Sequence, residues 1–366
     1  MSNNLIPILK IGELEATVPI VQGGMGVGIS MANLSSAVAN AGGIGVISSA
    51  EIGMTEPDFN LHPKEASIRA LRKEIRKAKN ITNGIIGVNI MVAMSDFNEM
   101  AIVSLEEGVD ILFIGAGLLL KNPLNLVKDK NLKTKIVPIV SSAKAFNVIF
   151  KYWAMHYKRI PDAVVVEGPK AGGHLGFKKE QIDNPDYKLE KIVPEVIASA
   201  KVYEKKFNKS IPVIPAGGIY TGEDIYKFIK MGASGVQMAT RFVATYECDA
   251  SEKFKEAYVN CKKEDITIIK SPVGMPGRAI KNKFIKDARN GITKPFKCAW
   301  QCLKGCSYGS APYCITQALV NAQKGNLDEG FAFAGSNAYR VNKIVSVQEL
   351  IDELIDEYKQ AASKIN

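Results

Sequence analysis

The chain has 366 residues, 46% of them hydrophobic and 23% charged, with 47 Lys and Arg against 37 Asp and Glu for a net charge of +10. That balance excludes a disordered chain and a low-complexity fibre. No apolar run reaches the ~18 residues a membrane-spanning helix needs, and the opening Met1-Ser2-Asn3-Asn4 lacks the blocks of a signal peptide, so a cytoplasmic protein of two domains or one large one is expected.

The first 245 residues repeat one pattern: a β-rich apolar run, a turn, then an amphipathic helix. Runs at 18–22, 44–48, 85–91, 110–115, 135–141, 163–167, 211–216 and 235–239 predict eight strands. Most lack polar alternation, as parallel strands buried on both faces do. Apolar spacing of three and four predicts helices over 31–41, 67–78, 97–105, 145–155 and 190–203. Another opens at Thr221, which can cap it, with Asp224 three residues on. Eight strands alternating with helices predict a (β/α)8 TIM barrel, with a doubly wound open sheet as the alternative. Glycines cluster just after strands, at Gly23-Gly24, Gly115 and Gly117, Gly172-Gly173 and Gly217-Gly218. In a barrel these positions form the rim that carries active sites.

The pattern changes after Thr240. Residues 246–340 hold a helical piece at 250–261, then a loop rich in Gly, Pro and Lys, then four cysteines. The last stretch, 345–365, is amphipathic, with Leu350, Ile351, Leu354, Ile355 and Tyr358 on one face. The expected division is a barrel at 1–245, a lid or small second domain at 246–340, and a C-terminal helix at 341–366 that returns to the barrel.

Two loops suit an anion. One follows the seventh strand at Gly217-Gly218, and the other follows the eighth at Gln237-Met238-Ala239-Thr240. Glycines let backbone approach a ligand, a helix N-terminus favours negative charge, and barrels commonly bind phosphate there. The competing reading is a pair of folding turns. His174, one of three histidines, follows Gly172-Gly173 on the sixth rim loop. An imidazole there suits acid–base work, although a lone histidine is usually structural. Gln22-Gly23-Gly24-Met25 exposes backbone amides where a flat ring can lie. Asn89 closes a buried strand and offers both donor and acceptor.

Together these residues resemble the FMN-dependent nitronate monooxygenases, whose superfamily also holds the flavin-dependent enoyl-acyl-carrier-protein reductase II. Five ordered motifs carry the likeness. They are Gln-Gly-Gly-Met at 22–25, Gly-Val-Asn at 87–89, Ala-Gly-Gly-His-x-Gly at 171–176, Ala-Gly-Gly-Ile at 216–219 and Gln-Met-x-Thr-Arg at 237–241. They are specific to the superfamily and do not separate its activities. The resemblance implies FMN, with NAD(P)H as a further co-substrate candidate. Gln22, Gly23, Gly24 and Met25 would line the ring and Asn89 would hydrogen-bond the cofactor. Glu167, Gly172 and Gly173 would lie along its rim. Gly217 and Gly218, with Gln237, Met238, Ala239 and Thr240, would hold the phosphate, and His174 matches the catalytic histidine. Three positions depart from the family pattern. Glu167 stands for a Gln or Met, Lys170 for a Glu, and Ala239 for a Gly that a methyl can replace where φ is negative.

The expected reaction is oxidation of alkyl nitronates by O2 to a carbonyl compound and nitrite. The alternative is an NAD(P)H-dependent reductase of an enoyl thioester or quinone, and a barrel for a sugar or nucleotide phosphate without flavin is a third. The partner expected is a small-molecule or acyl-thioester substrate, with a homodimer as a candidate assembly and neither nucleic acid nor membrane. Cys298, Cys302, Cys306 and Cys314 are candidates for a metal or iron–sulfur cluster. Their spacing matches no common finger or ferredoxin run, which favours a lid of buried small residues. The basic stretch 278–297 carries seven cations and one acid, and its place in the insertion points to an anion arriving at the rim.

Overall fold

The computed structural model describes residues 6–129, 131–298 and 300–364. The chain opens with an antiparallel hairpin, β1 (Leu9–Ile11) and β2 (Leu14–Ala16), turned at Gly12 with φ +60°. Sequence reading missed it, because its strands are three residues long. Leu9, Ile11 and Ala16 pack into the barrel's inner core, and Leu9 lies against Gly235 at the start of an inner strand. The hairpin therefore plugs the N-terminal end of the barrel.

Eight parallel strands follow: β3 (Ile20–Gln22), β4 (Gly45–Ser48), β5 (Ile86–Met91), β6 (Ile111–Gly115), β7 (Lys135–Val140), β8 (Val164–Glu167), β10 (Val213–Ala216) and β11 (Val236–Met238). Their order is β3-β11-β10-β8-β7-β6-β5-β4. Ile44 closes the ring, accepting from Gln22 N and donating to Ile20 O, both at 2.9 Å. The barrel holds and the open sheet does not. Alternation explains the unbroken apolar runs: Val21, Val46, Phe113, Val137, Val165 and Ile214 fill the inside, while Ile47, Val88, Leu112, Ile136, Val164 and Val213 face the helices.

The helices of the ring are α1 (Ala32–Asn40), α2 (Pro63–Ile81), α3 (Phe97–Glu106), α4 (Ala143–His156), α5 (Leu189–Phe207) and α6 (Gly222–Lys230). α6 carries the expected capping box between Thr221 and Asp224. After β11 come the short α7 (Thr240–Val243) and α8 (Glu252–Val259). A long excursion then builds β12 (Ile266–Lys270), β13 (Pro276–Ile280), α9 (Lys283–Arg289) and α10 (Ile315–Gln323) around its own core of Phe284, Tyr313 and Phe331. The final helix, α11 (Val347–Ser363), packs on α6 so closely that a Cβ on Gly222 would lie 2.1 Å from Leu354 O. It fills the eighth helix position. Among the described residues, no helix is long and apolar enough to cross a membrane.

Candidate active site

The rim is built from strand ends. β3 runs into Gly23, whose N–H meets Met238 O at 2.8 Å, and Gly24, where a Cβ would sit 2.5 Å from Asn89 Cβ. Only glycine lets the chain pass over Asn89 there. Met25 is held by its N–H on Ser30 Oγ at 2.9 Å. Gln22 turns away from the rim. It is fully buried, its Oε1 accepts from Val46 N at 3.0 Å and its Nε2 donates to Gly23 O at 2.6 Å. Its side chain thus locks β3 to β4. Asn89 faces inward on β5 and donates to Phe113 O at 3.2 Å. Gln237 also faces inward, against Gly23, whereas the Met238 side chain is buried in the outer core. Ala239 has φ −126°, so its methyl costs nothing.

Gly217 (φ +92°) and Gly218 (φ +87°) take the left-handed turn that glycine allows. A Cβ on Gly217 would lie 2.9 Å from Ala171 N. Among the described residues, the N–H groups of Gly218 and Ile219 donate to no protein acceptor. The α6 N-terminus, expected to share an anion, is already filled: Gly222 N donates to Glu357 Oε2 at 2.6 Å. Anion capacity therefore rests on the glycine turn. A cradle that a side chain would fill, lined with free N–H groups, fits a phosphate.

His174 lies on β9 (Gly173–His174), a two-residue strand of the β8–α5 loop. β9 pairs antiparallel with β13, in the register Gly277↔His174 and Arg278↔Gly173. The imidazole Nε2 lies 2.7 Å from Ser271 Oγ, and the Phe333 ring stands edge-on at 5.0 Å. Burial pulls the His174 pKa down to about 4, so the ring is neutral at pH 7 with one nitrogen free to accept. Glu167 ends β8 facing inward, and burial raises its carboxyl to about 7. Ser271, Phe333 and Arg278 escaped sequence reading, because nothing local ties them to His174.

Arg278 corrects the expectation drawn from the basic stretch. It is 5% exposed, and its Nη1 donates to Pro169 O at 2.7 Å and Ala171 O at 2.5 Å, bracing the His174 loop. Lys281 donates to Glu264 O, Lys283 pairs with Asp287, Arg289 donates to Ile268 O and Lys294 pairs with Glu329. Those charges serve the insertion's own surface rather than the rim.

Among the described residues, no three or more His, Cys, Asp or Glu side chains stand where they could hold an ion. Cys298, Cys302, Cys306 and Cys314 are half-buried free thiols in irregular chain, not on one helix face. Cys302 Sγ lies 3.5 Å from Thr316 Oγ1, and Cys314 Sγ caps α10. The segment docks on the β5–α3 loop through Ser95 N to Cys302 O at 2.9 Å. Beside it, both carboxyl oxygens of Glu51 and Oδ1 of Asp96 are buried with no hydrogen-bond partner among the described residues. Burial, then the neighbouring Asp96, raises the Glu51 carboxyl to about 8.

Comparison with known proteins agrees with this geometry. The sequence model of the nitronate monooxygenase family matches residues 9–357. A probable nitronate monooxygenase of Staphylococcus aureus (strain Newman) is 29% identical over 303 residues, covering 75% of this chain and 78% of that protein. The (3aS,4S,5R,7aS)-5-hydroxy-7a-methyl-1-oxo-octahydro-1H-indene-4-carboxyl-CoA dehydrogenase of Mycobacterium tuberculosis is 27% identical over 273 residues, which is 75% of this chain but only 66% of that enzyme. The structure of FabK from Thermotoga maritima superposes with TM-score 0.72 at 26% identity, covering 95% of this chain and 94% of the other. The chain belongs to the nitronate monooxygenase family and is an enzyme of that oxidoreductase family.

Proposed function

We propose that the protein is an FMN-dependent oxidoreductase whose reaction is the oxidation of alkyl nitronates by O2 to a carbonyl compound and nitrite. The observation that carries the reading is a neutral imidazole, held by Ser271 on the same rim as the free N–H groups of Gly218 and Ile219. FMN, where bound, supplies the electron transfer. The turn at Gly217, Gly218 and Ile219 would receive its phosphate, with Thr240 beside it. Gly23 and Gly24 leave a flat floor over Asn89, whose Oδ1 stays available to a ring N–H. His174 accepts the α-proton of a nitroalkane or holds a nitronate oxygen, and Phe333 keeps water from its edge.

The match to a carboxyl-CoA dehydrogenase favours a second reading, an NAD(P)H-dependent reductase of an enoyl thioester or quinone. One anaerobic experiment separates the two. NADH, NADPH and propyl-2-nitronate are each mixed with the flavin-loaded protein, and loss of absorbance near ~450 nm is followed. Bleaching by the nitronate, with nitrite formed in air, supports the first reading. Rapid bleaching by a nicotinamide without nitrite overturns it in favour of the second.

A further inference from the structure

We propose that Ser336 and Lys170 complete the phosphate cradle, as a third wall supplied by the insertion and by the loop before His174. This rests on the FMN reading above and names which side chains of this chain distinguish the phosphorylated flavin.

The segment 334–337 returns from the insertion and wedges between three rim loops. Ala334 N donates to Arg278 O at 3.0 Å, and Ser336 N to Lys170 O at 3.1 Å. Asn337 Nδ2 donates to Gly218 O at 2.8 Å. A Cβ on Gly335 would lie 2.6 Å from Thr240 Oγ1, and one on Gly172 would lie 2.7 Å from Gly335 N. Ser336 is therefore flanked by one neighbour on the Thr240 loop and one on the Gly218 loop. Its hydroxyl is buried and, among the described residues, has no hydrogen-bond partner. Native folds seldom leave a buried hydroxyl unpaired without a use for it. A phosphate oxygen held by the Gly217–Ile219 turn would give this one an acceptor.

The phosphate also needs a cation, and most of those nearby are committed. Arg241 is bound to Glu353 and Tyr220 O, and Arg278 to Pro169 O and Ala171 O. Lys170 differs. Its stem lies across Gly218, where a Cβ would sit 2.8 Å from Lys170 Cβ and 2.9 Å from its Cδ. Among the described residues its ammonium makes no ion pair, because Glu190, the carboxylate that feels its charge, is held by Lys227 at 2.6 Å. Four freely turning bonds let that ammonium swing over the glycine turn. The departure from the family's acidic residue at this position then has a use, as the charge that meets the phosphate.

The test compares FMN with riboflavin, which lacks the phosphate, on flavin-stripped full-length protein by fluorescence quenching. Ser336→Ala and Lys170→Gln are each expected to weaken FMN about tenfold, as losing a hydrogen bond to a charged group does. Riboflavin should change less than about twofold, and Lys170→Gln should flatten the salt dependence of FMN binding. Retained riboflavin binding certifies the fold of each variant, and Lys170→Arg should keep most of the FMN affinity. Equal weakening of both flavins, or unchanged FMN affinity, overturns the proposal alone. Wild-type protein that binds neither flavin overturns the FMN reading itself, and this proposal with it.

Discussion

Replacing Glu51 with Gln should stabilise the protein in a pH-dependent way. Glu51 is 6% exposed, sits at φ +56° after β4, and among the described residues its carboxyl meets no cation and no N–H, the one donor beside it being the weakly donating Cys302 thiol. In the folded chain burial lifts its carboxyl to about 8, against an ordinary value of 4.5. Between those values the native state binds more protons than the unfolded one, so its contribution is full below pH 4.5 and is lost as pH rises toward 8. The gap between those values amounts to a cost of roughly 5 kcal/mol in full, of which roughly 4 kcal/mol is felt by pH 8. Gln has the shape of the protonated acid and cannot ionise. Urea unfolding of wild type and Glu51→Gln at pH 5, 6.5 and 8 reads the effect directly. The two should differ by less than about 1 kcal/mol at pH 5 and by roughly 4 kcal/mol at pH 8. An offset that is the same at every pH, or absent at pH 8, refutes an ionisable orphan at this position.

The rim and the insertion offer four more tests. With the His174 pKa down at about 4, kcat/KM should stay flat from pH 8 down to about 5, without a limb near 6.5; His174→Asn should cost about 100-fold or more in turnover yet keep bound flavin. Gly217→Ala puts a methyl 2.9 Å from Ala171 N at φ +92°, so the purified variant should lose flavin colour, and a fully yellow protein would dismiss the cradle. Arg278→Met leaves the Pro169 and Ala171 carbonyls unpaired; it should cost about 2–3 kcal/mol in urea unfolding and lower kcat, and unchanged kinetics would refute the bracing role. Charge reversal at Lys281 and Lys283, which are engaged by Glu264 O and Asp287, should leave KM for an anionic substrate unchanged at low salt.

The barrel was legible because strands buried on both faces are written as unbroken apolar runs, and all eight of those runs became strands. The glycine turns were legible because a left-handed residue at a close approach admits little else, as at Gly217 and Gly218. What stayed hidden was whatever depends on distant chain. Nothing in the sequence around Ser271 says that its hydroxyl meets an imidazole 97 residues earlier. The basic stretch misled because a charge count does not show direction: Arg278 turned inward to carbonyls, and Lys281, Lys283, Arg289 and Lys294 found acceptors on the insertion itself. Gln22 looked like a ligand residue by its motif, yet its amide is spent within the barrel.

The insertion leaves and rejoins the barrel at almost one point, with Tyr246 N bonded to Val345 O at 2.9 Å and Val345 N to Ala244 O at 3.2 Å. Ends so close make it a cassette, which can be exchanged between relatives without reopening the ring. The wall around His174 and one wall of the glycine-turn cradle are thereby carried on a stretch that can be exchanged as a unit. Gly217, Gly218 and Asn89 stay with the barrel, while Ser271, Phe333 and Arg278 travel with the cassette. A chimera that trades only 246–345 should inherit the donor's substrate range, and its FMN affinity should follow whether the donor brings a hydroxyl to position 336.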